Sequence, residues 1–469
     1  IMILPISFVR RMRAMLRAEY EAFEASLETA PVRGLRINPL KGDTDAIREA
    51  LAKEVGELSK IPFAREGYTF AAEHIGSSPL HHAGAIYVQE PAAMAPVAAV
   101  DIQPHWWVAD LCASPGGKST QIAAQLSEDG LLLSNEYTRS RVSTLCGNLE
   151  RMGVRRSVVT SMDVPTLSNH YEGCFDLVVV DAPCSGEGMF RKNPDAVSEW
   201  SETSPAFCAD RQYGILKAAA KMVKADGWLV YSTCTFAPEE NEWQVARFLA
   251  ENDDFFLTAP NEAVAAVSAD GIAGGFSEAD GFAPAPYTLT EEEAKLCRRF
   301  YPHVFDGEGQ FLAVMRRSEG GSEELCKDSS APLSKEEKSA AEAFLKEALT
   351  PEGVKSVLPN LRSRNGMVFV HPDLPVPAKG VYAAGVNVGS VTKGRLIPHH
   401  QFFSAYGDLF RNRIDLAPED RNLAAYLHGD TIPADFNGWG VVCVCGAAIG
   451  GVKASGGVAK NHYPKGLRK

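Results

Sequence analysis

The chain has 469 residues, 45% of them hydrophobic, and a net charge of −12. That length supports about two to four domains with a sizeable core. No apolar run approaches the roughly 18 residues of a membrane-spanning helix, and the acidic sum argues against a uniformly basic polyanion binder. The charge is unevenly spread: residues 239–293 hold thirteen Asp/Glu and one basic residue, whereas residues 439–469 hold five Lys/Arg and no acid. At the start of the chain the charges follow the apolar stretch, the wrong order for a secretory signal, so a cytosolic protein is expected. Ten cysteines without a C-x-x-C pair point to free thiols in a reducing compartment and to no structural zinc.

Residues 1–85 read as a small α/β region. Phe8–Leu27 is a predicted helix, with Met12, Met15, Leu16, Tyr20 and Phe23 at helical spacing. Gly34–Lys41 alternates like a short strand, and its Arg36 and Lys41 are candidate phosphate contacts, with ordinary surface charge an equal alternative. A second domain opens at Gly84–Met94, followed by a predicted helix over 92–100.

Trp106–Ala113 is the first predicted buried strand. It runs into Ser114-Pro115-Gly116-Gly117-Lys118 and a predicted helix over 121–126. A glycine turn between strand and helix lets backbone N–H groups approach a ligand closely. Leu131–Ser134 is the second strand and leads to Glu136, twenty residues after Gly116, where dinucleotide folds hold ribose hydroxyls. Ser157–Thr160 leads to Asp163, and Leu177–Val180 leads to Asp181. Acids at successive strand ends describe a nucleoside pocket on a doubly wound parallel sheet. Predicted helices over 140–152 and 205–223 lie between, the second capped by Ser204.

Two strand ends also carry thiols. Leu177–Val180 ends in Asp181-Ala182-Pro183-Cys184, and Gly227–Thr235 contains Cys234. A lone cysteine is most often a small buried hydrophobe. Two at matched strand tips, one three residues after an Asp, point instead to a shared pocket. Arg191 and Lys192 adjoin this loop and are candidate substrate-phosphate contacts. Residues 251–299 read as excursions at the sheet edge, 310–315 as a closing strand and 316–335 as a polar linker. Ser334 and Glu337 form a capping-box pattern for a helix to Leu349. Strands are predicted over 367–370, 381–388, 440–445 and 447–452, before a basic tail with Lys460 and Lys465. Those two lysines are candidate RNA contacts, with a structural turn at Pro464-Lys465-Gly466 an equal alternative.

The segments D-L-C-A-S-P-G-G-K-S, D-A-P-C-S-G and S-T-C-T, in this order, resemble the Nol/Nop/Sun RNA cytosine-C5 methyltransferases. The tail G-G-V-A-K-N-H-Y-P-K-G-L-R resembles the bacterial RsmF branch, which modifies small-subunit ribosomal RNA. The resemblance spans nearly the whole chain. It implies an α/β fold: a Rossmann-type S-adenosylmethionine-dependent core, a small N-terminal α/β region that binds RNA, and a C-terminal α+β part plus a PUA-like β domain. The expected division is 1–85, 86–317 (catalytic), 318–335 (linker), 336–393 and 394–469 (PUA-like). The resemblance also implies S-adenosylmethionine contacts at Cys112, Ala113, Ser114, Pro115, Gly116, Gly117, Lys118, Glu136, Asp163 and Asp181. Cys234 is implied as nucleophile and Cys184 as the helper in product release. The expected partner is RNA, most of all 16S ribosomal RNA, met by a cytosolic monomer without membrane attachment.

The chemistry suits these residues. Carbon 5 of cytosine is a poor nucleophile, and adding a thiolate at carbon 6 makes it electron-rich. Cys234 acts only as thiolate, and the sequence does not say what takes its proton. Asp181 is a candidate donor or acceptor at ring nitrogen 3 or the exocyclic amine. The target base must be unpaired or flipped. The alternatives are a DNA cytosine methyltransferase, an amine methyltransferase needing no thiol, a tRNA-directed enzyme, and a non-catalytic RNA-binding assembly factor on the same fold.

Overall fold

A computed structural model describes residues 2–73, 75–319 and 323–469. Its centre is a ten-stranded sheet. Five strands are parallel, in the order 223–233, 175–181, 107–110, 131–135 and 157–160. The antiparallel strand Gln310–Arg317 lies beyond 223–233 and pairs in turn with Phe255–Thr258 and Arg298–Phe300. The unbroken apolar runs explain the layering. Leu177–Val180 and Leu229–Tyr231 are each at most 1% exposed, as expected of strands covered by helices on both faces. Helices Gly117–Ala123, Arg139–Arg151 and Ser204–Met222 provide that cover. This is the expected Rossmann-type core.

The edges of that core differ from the sequence reading. The apolar stretch 381–388 is two strands, not one, broken at Gly385 (φ +55°), where a Cβ would lie 1.8 Å from the Val370 carbonyl oxygen. Val381–Ala384 completes the catalytic sheet beside Ser157–Thr160, and Val386–Thr392 joins Met367–Val370 in a four-stranded sheet. The expected boundary at 393/394 falls in the tight turn between Val386–Thr392 and Arg395–Pro398, so both sides belong to one sheet. Within the expected linker, residues 320–322 lie outside the described residues. The rest is strapped down: Glu324–Leu325 pairs with Tyr171–Glu172, and the Cys326 amide donates to the His170 carbonyl at 2.8 Å.

The N-terminal helix also divides. Ile6–Leu16 and Tyr20–Leu27 are joined by a 3₁₀ turn, with Arg17 at φ +50°. Both pack on the catalytic loops, Phe8 against Phe190 and Trp200 and Phe23 against Phe236. A four-stranded antiparallel sheet that includes Arg33–Ile37 follows, backed by the helix Thr44–Val55. Its core is continuous with that of the C-terminal five-stranded sheet, Leu35 and Ile47 sharing a cluster with Tyr426 and Val442. First and last domains therefore dock on each other beside the catalytic domain. Among the described residues no helix is long and apolar enough to cross a membrane.

Candidate active site

The register of the two central strands builds the site. Ser232 lies opposite Asp181, so Cys234 and Cys184 leave the sheet together, two and three residues further on. Their sulfurs are 3.1 Å apart, and both residues are partly exposed. The two loops are also held by main chain: the Gly188 amide donates to the Cys234 carbonyl at 2.9 Å. A Cβ at Gly188 would lie 2.7 Å from Gly309 backbone, so only glycine allows that approach. The Cys184 thiol is pushed well above its usual range, first by its hydrogen bond to Cys234 and then by burial. The neighbouring sulfur and burial both favour the neutral Cys184 thiol, and either sulfur can donate across the 3.1 Å contact.

Asp181 stands beside the sulfurs, its carboxylate accepting from Lys118 Nζ (2.7 Å), Ser232 Oγ (2.7 Å) and Gln310 Nε2 (3.3 Å). Lys118 comes from the first turn of the helix after the glycine loop. That helix starts at Gly117 rather than 121, with Gly116 as its left-handed N-cap, so Lys118 reaches across to the neighbouring strand end. Burial alone lowers the Lys118 pKa, and the Asp181 carboxylate more than reverses this, leaving it above the ordinary value.

The loop Cys112–Lys118 and the acids Glu136, Asp163 and Asp181 lie at the carboxyl ends of neighbouring parallel strands. Glu136 is buried; it accepts from the Thr138 amide at 2.8 Å and sits 3.5 Å from Arg141 Nη1. Asp163 is exposed and caps the next helix through the Thr166 amide at 2.9 Å. Behind the loop, Asp110 accepts from Ser119 Oγ at 2.7 Å, and burial pushes its carboxyl up to about 7. Cys112 is pushed up strongly, chiefly by burial, and stays a neutral thiol. Helix amides, a loop without side-chain bulk and carboxylates at the rim suit a nucleoside bearing a cationic tail. Among the described residues no group of three His, Cys, Asp or Glu side chains could hold a metal.

Three expected RNA contacts are corrected by burial. Arg36 is 2% exposed and donates to Gln89 Oε1 (2.7 Å), Gly117 O (2.8 Å) and Thr120 Oγ1 (2.8 Å). It props the donor-loop helix instead of meeting phosphate. Lys41 donates to the Ser404 and Ala448 carbonyls, each at 2.7 Å, and to Ser404 Oγ at 2.9 Å. Arg191 pairs with Glu308 at 3.0 Å and reaches the Ser26 carbonyl, tying the N-terminal helices down. Lys192, Lys460 and Lys465 are exposed. Ser204 does not cap its own helix; Thr203 holds the N-cap position, and Ser204 Oγ accepts from the Ser201 amide.

Family models confirm the kinship of this arrangement. Those described as 16S rRNA methyltransferase RsmB/F, N-terminal domain of 16S rRNA methyltransferase RsmF and methyltransferase RsmF PUA domain match residues 97–316, 4–91 and 413–469. Ribosomal RNA small subunit methyltransferase F of Vibrio campbellii is 31% identical, over 99% of this chain and 97% of its own length. The chain belongs to the ribosomal RNA small subunit methyltransferase F family. The Erwinia tasmaniensis member is 34% identical over 67% of this chain and 63% of its own. A solved methyltransferase homologue from Pyrococcus horikoshii is 28% identical, with a TM-score of 0.54 over 66% of this chain and 93% of its own. NSun6 from the same organism, solved with SFG, shares the fold at 18% identity and a TM-score of 0.54, over 67% of this chain and 98% of its own. As a family member the protein is a methyltransferase, with the PUA domain expected at its C-terminus.

Sequence reasoning missed Ser232 and Gln310, which hold Asp181, and Gln212 and Glu240, which hold the residues on either side of Cys184. The stretch Pro238-Glu239-Glu240-Asn241-Glu242, directly after the Cys234 strand, was the available signal. Its acids were counted only as part of a charged region.

Proposed function

We propose that the protein transfers a methyl group from S-adenosylmethionine to carbon 5 of cytosine in 16S ribosomal RNA, through a covalent bond between Cys234 and carbon 6. The observation that carries this reading is the pair of sulfurs 3.1 Å apart beside the Asp181–Lys118 pair. S-adenosylmethionine supplies an electrophilic methyl group. The loop Cys112–Lys118, Glu136 and Asp163 would hold it, and a related fold solved with SFG, an analogue of that donor, supports the assignment.

In this reading, which follows the family likeness of the S-T-C-T segment, Cys234 is the sulfur that attacks. The bond to carbon 6 pushes electrons to carbon 5. Asp181 offers an acceptor to the exocyclic amine, which uracil lacks, and so orients cytosine. Once carbon 5 is methylated, its proton passes to water, the electrons of that C–H bond form the carbon 5–carbon 6 double bond, and the sulfur–carbon bond breaks so that Cys234 leaves as thiolate; Cys184 assists this step, directly or through that water. The base enters unpaired or flipped, since both sulfurs lie past the strand ends.

The test is label transfer from tritiated S-adenosylmethionine to 16S rRNA, free and in small subunits, followed by bisulfite sequencing. Cys234→Ala abolishes transfer. Cys184→Ser retains attack and accumulates a protein–RNA adduct that survives denaturant. Label transfer by the Cys234→Ala enzyme would overturn the reading.

A further inference from the structure

Behind the two sulfurs lies a buried carboxylate that the chemistry above does not use. Glu240 is 0% exposed. It accepts from the Ser185 amide (3.0 Å), from Gln212 Nε2 (2.7 Å) and from the Ser185 hydroxyl. All three donors are neutral, and burial pushes the carboxyl up to about 8. Such a group is costly to bury unless its bonds hold something in place.

What it holds is specific. Ser185 directly follows Cys184, and its Oγ lies 2.8 Å from Thr235 Oγ1, which directly follows Cys234. Gln212 also donates to the Pro183 carbonyl at 3.1 Å, on the other side of Cys184. Tyr231 Oη donates to the Glu240 carbonyl at 2.6 Å and so fixes the residue itself. The Cys234 tip has separate anchors. Asn241 Nδ2 donates to the Thr235 carbonyl at 2.9 Å, and Thr233 Oγ1 donates to Asn241 Oδ1 at 2.6 Å. Removing Glu240 therefore strips the Cys184 side of its bonds to the Ser185 amide and hydroxyl and leaves it the weaker links through Pro183 and Thr235, while the Cys234 tip keeps both of its own anchors.

We propose that Glu240 is a positioning residue for the release step: it clamps Pro183-Cys184-Ser185 so that the Cys184 thiol stays against the Cys234 sulfur. The inference rests on the reading of the two cysteines given above. It predicts a phenotype that general loss of structure would not give, a defect in release without a defect in attack.

The experiment uses the full-length chain, 16S rRNA and tritiated S-adenosylmethionine, with turnover and denaturant-resistant adduct read on the same samples. Glu240→Ala lowers turnover roughly tenfold to a hundredfold, as expected of a misplaced reactive group, while the adduct accumulates as it does in Cys184→Ser. Glu240→Gln restores turnover close to wild type. Its carbonyl accepts from the Ser185 amide and Gln212. Its amide donates to Ser185 Oγ, whose hydroxyl then turns to Thr235, so every bond survives. Parallel loss of adduct and turnover in Glu240→Ala would reduce the residue to scaffold. Glu240→Gln as poor as Glu240→Ala would assign it proton transfer. Either result overturns the proposal. Should Glu240→Ala not fold, Ser185→Ala removes the hydroxyl link and keeps the amide bond; it accumulates adduct, and wild-type adduct levels there would sink the idea. Failure of the underlying reading shows elsewhere, as label transfer by Cys234→Ala, whatever the Glu240 variants do.

Discussion

Two lysines of this chain are buried to the same degree and do opposite things. Lys118 is 8% exposed and Lys41 is 5% exposed. Lys118 faces the Asp181 carboxylate at 2.7 Å, at the ends of the central strands, and its pKa lies above the ordinary value. Lys41 faces only two carbonyls and a hydroxyl, at the junction of the first and last domains, and burial lowers its pKa to about 7. A buried cation paired with a carboxylate beside the two sulfurs sits where the proposed reaction would develop charge. A buried cation among neutral acceptors joins surfaces, at a desolvation cost that no counter-ion repays. The setting decides the role, not the residue type.

The sharpest way to break this contrast is Lys118→Met. Asp181 then loses its cation but keeps Ser232 and Gln310, so the fold stands, while methyl transfer falls about 10²–10³-fold by analogy with loss of one electrostatic contact. Single-turnover label transfer measures it, and a drop explained wholly by lower stability would erase the distinction.

Lys41→Met tests the other half. An amine whose folded pKa is depressed contributes stability that is full above its unfolded value and is lost as pH falls through the folded one. Here that window runs from 10.5 down to about 7. The substitution should cost about 1–3 kcal/mol at pH 10, where it strands buried carbonyls, and the wild-type advantage should shrink as pH falls and be gone or reversed by pH 6. Denaturant unfolding at the two pH values checks the sign, and an unchanged gap would contradict it.

The smallest effect on RNA binding belongs to one of two neighbours that separate in the same way. Lys192 is exposed at the rim of a groove of about 1210 Å³ that Arg33, Gln89 and Glu90 also line. Lys192→Ala should lower the salt slope of RNA binding by about 1. Arg191→Ala should leave that slope alone and instead destabilise the fold by about 3–5 kcal/mol through the unpaired Glu308.

The core was legible because its signals are local. Leu177–Val180 and Leu229–Tyr231 announce buried strands by their unbroken apolar runs, and the acids and thiols that follow necessarily emerge at one edge of a parallel sheet. Burial of a single cation is not local. Arg36 sits on the short strand Arg33–Ile37 and Lys41 in the turn beyond it, where the predicted strand to Lys41 does not continue, and only the packing of distant segments, Gly117 and Thr120 for one and Ser404 and Ala448 for the other, removes them from solvent. A pairing that crosses the expected borders was hidden for a related reason. Val381–Ala384 looks like any short strand, and nothing in its composition says that it pairs with Ser157–Thr160, more than two hundred residues earlier. Glu240 was visible as a letter but not as a brace, since its meaning depends on Ser185, fifty-five positions away.

The most direct measurement is the mass of the linked peptide. The Cys184→Ser protein is incubated with S-adenosylmethionine and 16S rRNA, digested with protease and nuclease, and the peptide carrying nucleotide mass is sequenced. The account predicts a methylated cytidine on the peptide containing Cys234, attached at that sulfur. A nucleotide on any other residue, or no linked peptide while label transfer continues, would contradict it.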